Sequence, residues 1–144
     1  MTLTPGQIET KRFPVVGEWE PSADRDVPTG WSLRIGGLVS PPVNIDYRDY
    51  LDLGSEELIF DIHCVTSWTH FNSHWTGVPL KRLLGGVHID PSAKHASFVA
   101  YSERDHHTSL PLSVALESSW LAHEFEGEPL SVAHGGPVRV VTPW

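Results

Sequence analysis

Residues 57–65 constrain the fold of this chain more than any other segment. Leu58, Phe60 and Ile62 recur at every second position, which is the period of a half-buried β-strand. Cys64 continues this alternation, so the pattern places it on the apolar face at the end of the strand. It is the only cysteine among 144 residues. The sequence therefore predicts a strand that carries a single thiol to the edge of the core.

The other segments are typical of short strands and short helices separated by glycine and proline. The strands are predicted at 31–38, 57–65, 96–102, 121–125 and 138–142, and the helices at 47–53, 79–84 and 112–117. Asp46 is the expected cap of the first helix, 68–76 are expected to form a loop, and 103–107 a polar turn. Because no regular strand–helix–strand repeat is present, we expect an α+β fold of strand-rich mixed sheets with short helices.

Length and composition predict one folded domain. The chain is 40% hydrophobic, which suffices for one core. Residues 1–28 are rich in proline, glycine and charge and lack a sustained period, so they are predicted to form an irregular arm. The domain itself is expected to span 29–144.

Charge and hydropathy exclude several classes of protein. A formal net charge of −8 disfavours nucleic-acid binding, which depends on basic residues at phosphates. No apolar run approaches the roughly 20 residues of a membrane span. The first ten residues lack the basic and apolar regions of a signal peptide, so a cytoplasmic location is expected. One cysteine excludes an intramolecular disulfide.

Cys64 admits two interpretations. A free cysteine is commonly a small buried hydrophobe. A thiolate is also a soft ligand for a polarisable metal, and the junction of a strand and a loop offers it rigidity and access. Spacing alone favours the first interpretation.

The turn at 134–139 is the second candidate site. Gly135 and Gly136 permit close backbone approach and unusual φ angles, and Arg139 offers a planar fork for an oxyanion. The alternative is an ordinary β-turn followed by an arginine at a strand edge.

Three further groups have weaker claims. His63, Cys64, His70 and His74 suggest zinc, but no second cysteine completes the set. Residues 104–107 are interpreted as a solvated turn. Trp68 and Trp75 are expected to pack the cysteine loop. The sequence contains neither a Gly-x-Ser-x-Gly elbow nor a phosphate-binding glycine loop.

Several short sequence motifs occur together in a recognisable order. They are Cys-Val-x-x-Trp at 64–68, Trp-x-Gly-Val-Pro-Leu at 75–80, Glu-Gly-Glu-Pro-Leu at 126–130 and His-Gly-Gly-Pro-Val-Arg at 134–139. With the segments 12–16 and 31–39, they resemble the sulfite oxidase-like molybdopterin oxidoreductases. The resemblance covers most of the chain.

This resemblance implies a molybdenum–molybdopterin cofactor with Cys64 as the molybdenum ligand and catalytic residue. It also implies that His134 and Arg139 contact the pyranopterin. The expected activity is transfer of an oxygen atom and two electrons to or from a small polar oxo-substrate, such as sulfite, a sulfoxide or another oxo-anion. A redox partner protein is expected as well.

The chain departs from the family pattern at two places. On this resemblance we expect the chain to lack the segment with lysine and serine that follows residue 144 in the family, and residues 17–19 differ from the usual opening loop. The alternative expectation is therefore a cofactor-free or split-chain relative that acts as a binding or assembly subunit. An apolar surface at 138–144 would then mediate self-association or bind a second chain.

Overall fold

The fold is built on a long β-hairpin at the centre of a six-stranded sheet. The structure, a computed structural model, describes residues 2–15, 30–101 and 106–143. Strands β5 (Glu56–Cys64) and β6 (Trp68–Pro79) pair antiparallel, with Cys64 opposite Trp68 and Leu58 opposite Trp75. Around this hairpin lie β1 (Ile8–Glu9), β10 (Trp120–Phe125), β11 (Glu128–Pro129) and β12 (Arg139–Val141).

Three two-stranded sheets and three short helices complete the fold. The strands are β2 (Ser32–Ile35) with β4 (Val43–Asp46), β3 (Val39–Ser40) with β7 (His88–Ile89), and β8 (His95–Val99) with β9 (His107–Pro111). The helices are α1 (Tyr47–Asp52), α2 (Leu80–Leu83) and α3 (Leu112–Ser118), and a single 3₁₀ turn spans Val132–His134. The expected α+β class with strand-rich mixed sheets is confirmed. No helix in the described ranges has the length and apolar character to cross a membrane.

The central sheet separates two apolar clusters. The helix-side core contains Trp31, Tyr50, Val78, Leu80, Leu83, Ala115 and Leu121. The cysteine-side core contains Trp75, Ala122, Leu130 and Val141, with Leu58, Phe60 and Ile62 of β5 packed against it. Because successive side chains of a strand point to opposite faces, Cys64 lies on the same face of β5 as these three residues.

Several predicted elements are confirmed. Helix α1 begins where Asp46 accepts a hydrogen bond from the Asp49 amide at 2.8 Å. Alternate residues of β5 are exposed and half-buried, as its sequence period predicts. Helix α3 and strands β10 and β12 lie within or close to their predicted ranges.

The predicted loop at 68–76 is wrong, because these residues belong to β6. A bulge hides the strand period there: the register shifts opposite Phe60 and Ile62, and Asn72 has φ +49°. Two polar residues of this strand, Thr69 and Ser73, are also buried. Each forms a hydrogen bond: the Thr69 hydroxyl with the Gln7 side chain at 3.0 Å, and the Ser73 hydroxyl with the His70 ring at 2.9 Å. Hydrogen-bond partners inside the protein thus make a polar pattern compatible with a buried strand.

The described part of the N-terminal arm, residues 2–15, is irregular except at one point. Residues Ile8 and Glu9 pair parallel with Trp68 and Thr69 of β6, which adds a strand where none was predicted. Phe13 then packs against the cysteine-side core. The predicted domain boundary at 28 and 29 lies outside the described residues and stays a prediction.

Two other expectations need correction. His107 begins β9 instead of ending a polar turn, whereas Arg104 and Asp105 lie outside the described residues. The apolar surface expected at 138–144 is not formed by residues 138–143. Val138 and Val140 pack against the helix-side core and Val141 is buried in the cysteine-side core. Trp144 lies outside the described residues.

Gly77 marks the closest approach between β6 and β10. A Cβ atom built on it would lie 2.3 Å from the carbonyl oxygen of Leu121. We expect Gly77→Ala to lower the free energy of unfolding by roughly 2–3 kcal/mol or more, because the two strands would have to separate.

The matched control is Gly36→Ala, where an added Cβ meets no atom within 4 Å. That change should alter stability by less than about 1 kcal/mol. Urea unfolding followed by circular dichroism measures both variants, and equal stability of the two would contradict the close approach.

Candidate functional site

Cys64 lies at the point where β5 ends and the hairpin turn begins. Its thiol is half-buried and lies 3.1 Å from the hydroxyl oxygen of Thr66. Its carbonyl oxygen accepts hydrogen bonds from the Ser67 amide at 3.0 Å and from the Gln7 side chain at 3.1 Å. The backbone is therefore held on two sides, while the sulfur stays accessible at the edge of the sheet.

An aromatic cluster adjoins the cysteine on the same face of the sheet. Trp68 is the cross-strand partner of Cys64. The ring of Phe13 lies 6.1 Å from that of Trp68, 5.6 Å from that of Trp75 and 4.8 Å from that of Phe125. The N-terminal arm thus places Phe13 at the centre of an apolar wall beside the thiol.

His134 holds the arm in place. Its Nε2 lies 2.8 Å from the carbonyl oxygen of Phe13, its Nδ1 lies 3.0 Å from the Ser131 hydroxyl, and its ring stacks on Phe13 at 4.4 Å. Because a carbonyl oxygen only accepts, Nε2 carries the proton and Nδ1 accepts from the serine. Both ring nitrogens are therefore engaged within the protein.

Arg139 is a half-buried cation on the same face. Its Nη1 donates to the carbonyl oxygen of His134 at 2.9 Å, and its guanidinium carbon lies 5.7 Å from the ring centres of Phe13 and Trp75. Burial lowers the pKa of Arg139, but a guanidinium remains protonated at neutral pH. No carboxylate among the described residues pairs with it.

The glycines before Arg139 make its position possible. Gly135 has φ +89°, which favours a residue without a side chain. A Cβ on Gly136 would lie 2.0 Å from the carbonyl oxygen of Leu130. The turn therefore packs directly on the chain that leaves β11, as its two glycines suggested.

Three buried donors near this wall have no hydrogen-bond partner among the described residues. They are the indole nitrogens of Trp68 and Trp75 and the Nε of Arg139. A buried donor without a partner is costly, so such groups are rare unless a ligand or water completes them. Together with Phe13, which contacts all three side chains, they indicate a site for a ligand rich in acceptor atoms.

The structure places two of the expected site residues on one face of the sheet and engages the third in a contact with the N-terminal arm. Cys64 and Arg139 lie on one face of the sheet, joined by Trp68 and Phe13, whereas His134 is committed to the arm. No role was predicted for Phe13. The sequence feature that could have indicated one is an aromatic residue next to a proline in the N-terminal arm. Trp75 packs inside the cysteine-side core, with its ring stacked on Phe60 at 5.9 Å, and does not pack the cysteine turn as expected.

The alternative zinc site finds no support in the structure. In β6, His70 is opposite Ile62 and His74 is opposite Ile59, so the two histidines face opposite sides of the sheet. His70 bonds Ser73, and His74 pairs with Glu57 at 2.6 Å. In the described part of the chain, no three histidine, cysteine or acidic side chains are grouped to hold a metal.

Comparison with known proteins gives a family match over most of the chain. Residues 19–144 match the model of the oxidoreductase molybdopterin binding domain family. The uncharacterized oxidoreductase YuiH of Bacillus subtilis is 34% identical over 98% of this chain and 70% of its own length. The protein-methionine-sulfoxide reductase catalytic subunit MsrP of Gluconobacter oxydans is 34% identical over 81% of this chain.

A solved structure shares the fold. The sulfane dehydrogenase SoxCD from Paracoccus pantotrophus superposes with a TM-score of 0.71 at 25% identity, over 78% of this chain and 33% of that one. The chain also spans only 43% of the MsrP relative. The match over residues 19–144, together with the shared fold and the relatives, shows that the chain belongs to the sulfite oxidase-like family of molybdopterin-binding oxidoreductases.

Proposed function

We propose that this domain binds the molybdenum–molybdopterin cofactor of its family through Cys64 and Arg139. Cys64 would be the protein ligand to molybdenum, and Arg139 would face an anionic group of the cofactor. The observation that carries the proposal is the charge of Arg139, which is held on the face of Cys64 with no carboxylate to neutralise it in the described residues.

The chemistry of the described side chains fits the cofactor. A thiolate is a soft ligand suited to a polarisable metal centre, and a pyranopterin with its phosphate is rich in acceptors for indole and guanidinium donors. The three unpartnered nitrogens of Trp68, Trp75 and Arg139 are such donors. The rings of Phe13 and Trp75 stabilise the charge of the guanidinium without neutralising it, so it stays available to an anion.

When bound, the cofactor supplies two-electron redox chemistry with transfer of an oxygen atom. The protein contributes ligation, hydrogen bonds and exclusion of water. The Thr66 hydroxyl would donate a hydrogen bond to the thiolate of Cys64, since its oxygen lies 3.1 Å from the cysteine sulfur. Phe13 and Trp68 would keep water from one side of the site.

We further propose a small sulfur oxo-compound, such as a sulfoxide, as the substrate. The support comes from two relatives whose names refer to sulfur substrates, a protein-methionine-sulfoxide reductase and a sulfane dehydrogenase. Both are longer than this chain, so their complete activities are not transferred to it. The role of His134 is proposed as indirect: it holds Phe13 against Arg139.

Cys64→Ser should lower the molybdenum content of protein made in a cofactor-producing host by about tenfold or more. The reason is that even outer partners of a metal are worth about 10- to 100-fold in affinity. Elemental analysis measures the content, and X-ray absorption should show one fewer sulfur ligand in any residual metal. The control is Val65→Ser at the adjacent position, which is 99% exposed. Unchanged metal content and sulfur coordination in Cys64→Ser would exclude ligation, whereas a metal-free parent protein would favour the cofactor-free alternative.

Arg139→Met should leave the apo protein within about 1 kcal/mol of the parent, because it removes a desolvated charge and keeps most of the volume. The same change should reduce cofactor content severalfold. Arg82→Met is the matched control, since Arg82 forms a surface ion pair with Glu56 and should affect neither quantity strongly. Urea unfolding of the apo forms and cofactor content per folded protein are the measurements. Large destabilisation with normal cofactor content would make Arg139 a structural residue.

A further inference from the structure

A cleft lies beside helix α1 and next to the turn that precedes Arg139. Its volume is about 620 Å³, and it is lined by Gly30, Trp31, Asp46, Tyr47, Arg48, His123, Pro129, Leu130 and Pro137. Cys64, His134 and Arg139 are not among these residues. The cleft is therefore distinct from the site proposed for the cofactor.

His123 is the unusual residue of this cleft. It is the extra residue of a β-bulge in β10, because Ala122 pairs with Gly77 and Glu124 with Thr76. Only 7% of it is exposed. A bulge redirects a side chain, and here it turns the imidazole of a buried histidine toward Tyr50 and the cleft.

The hydrogen bonds of Tyr50 determine the tautomer of His123. The Tyr50 hydroxyl lies 2.7 Å from the Leu121 carbonyl oxygen and 2.8 Å from His123 Nδ1. A hydroxyl has one proton, and the carbonyl can only accept it. The second bond is therefore donated by His123 Nδ1 to the tyrosine oxygen, and His123 Nε2 is left with its lone pair.

Both groups keep these proton positions at neutral pH. Burial raises the pKa of Tyr50 well above its usual range, with smaller contributions from Tyr47 and Glu124. Burial also lowers the pKa of His123, an effect that Glu124 opposes only in part. His123 is consequently neutral, and its Nε2 is an acceptor rather than a donor.

This acceptor has no hydrogen-bond partner among the described residues. No described group bonds Nε2, and the opposite nitrogen is occupied by Tyr50, so the free edge of the ring is the one that borders the cleft. An acceptor that a buried side chain presents to a cleft is completed by a donor from outside the chain, which is water in the empty cleft and can be the hydroxyl group of a ligand that displaces this water.

The other residues of the cleft indicate what kind of molecule could carry that donor. Its lining is mainly apolar, with the rings of Trp31 and Tyr47 meeting edge to face at 5.8 Å and prolines at 129 and 137. Asp46 and Arg48 add charged side chains to the lining. Aromatic and apolar walls with one fixed acceptor suit an aromatic ring that carries a hydroxyl group.

We propose that this cleft binds a small planar hydroxyaromatic molecule whose hydroxyl donates to Nε2 of His123. Its ring lies against Trp31 and Tyr47. Binding requires neither molybdenum nor the pterin, so the proposal stands or falls independently of the proposed function.

Phenol and anisole are the probes, because they share a ring and differ in the hydroxyl proton. We expect phenol to bind the full chain more tightly than anisole by about fivefold, the ratio for one net hydrogen bond. Titrations followed by heteronuclear NMR measure both affinities. Phenol, but not anisole, should also shift the Nε2 resonance of His123, and the free protein should show the Nδ1–H tautomer.

Two variants isolate the acceptor. His123→Asn can keep a donor toward Tyr50 but lacks an atom at the Nε2 position, so phenol should lose its advantage over anisole. His123→Gln places an amide oxygen near Nε2 and should restore part of the advantage. Equal affinity for the two probes in the parent, an Nε2–H tautomer, or an undiminished advantage of phenol in a folded His123→Asn variant would overturn the proposal. The tautomer and the parent titrations decide the matter even if a variant does not fold.

Discussion

The register between β5 and β6 is the constraint on which the site depends. Each strand alternates its side chains between two faces, so a slip of one residue would move Cys64 from the face of the cysteine-side core to the other. The register is held by the turn between Cys64 and Ser67 and by Gln7, which bridges the Cys64 carbonyl and the Thr69 hydroxyl. The arm therefore takes part in positioning the thiol.

The second organising feature is an uncompensated charge. Arg139 is held by one carbonyl oxygen and two aromatic rings, and these contacts position the guanidinium without cancelling its charge. Such an arrangement costs stability in the absence of an anion, because the largely buried cation has no carboxylate partner in the described part of the chain. A site that binds an anionic ligand is a setting in which this cost is offset.

Much of the fold follows from local sequence. The period of β5, the cap at Asp46 and the glycines before Arg139 each specify their structure through nearby residues. Strand β6 could not be predicted in the same way. Its bulge at Asn72 interrupts the alternation, and its buried polar residues are satisfied by Gln7 and by other residues of the hairpin. Local polarity indicated a loop because the burial of Thr69 and Ser73, and the contact of Thr69 with Gln7, arise only when the strands pair.

The features of the site can be divided in the same way, into those that local sequence specifies and those that depend on the tertiary structure. The sequence by itself determined that a single thiol ends an amphipathic strand, that two glycines precede an arginine, and that these words resemble one family. Only the tertiary structure decided that the thiol and the arginine share one face of the sheet, that Phe13 lies between them, and that His134 serves the arm. It also decided that His123 turns toward a separate cleft. The reason is physical: a period or a turn depends on neighbours along the chain, whereas facing, burial and the partners of polar atoms depend on strands that pair across long separations in sequence.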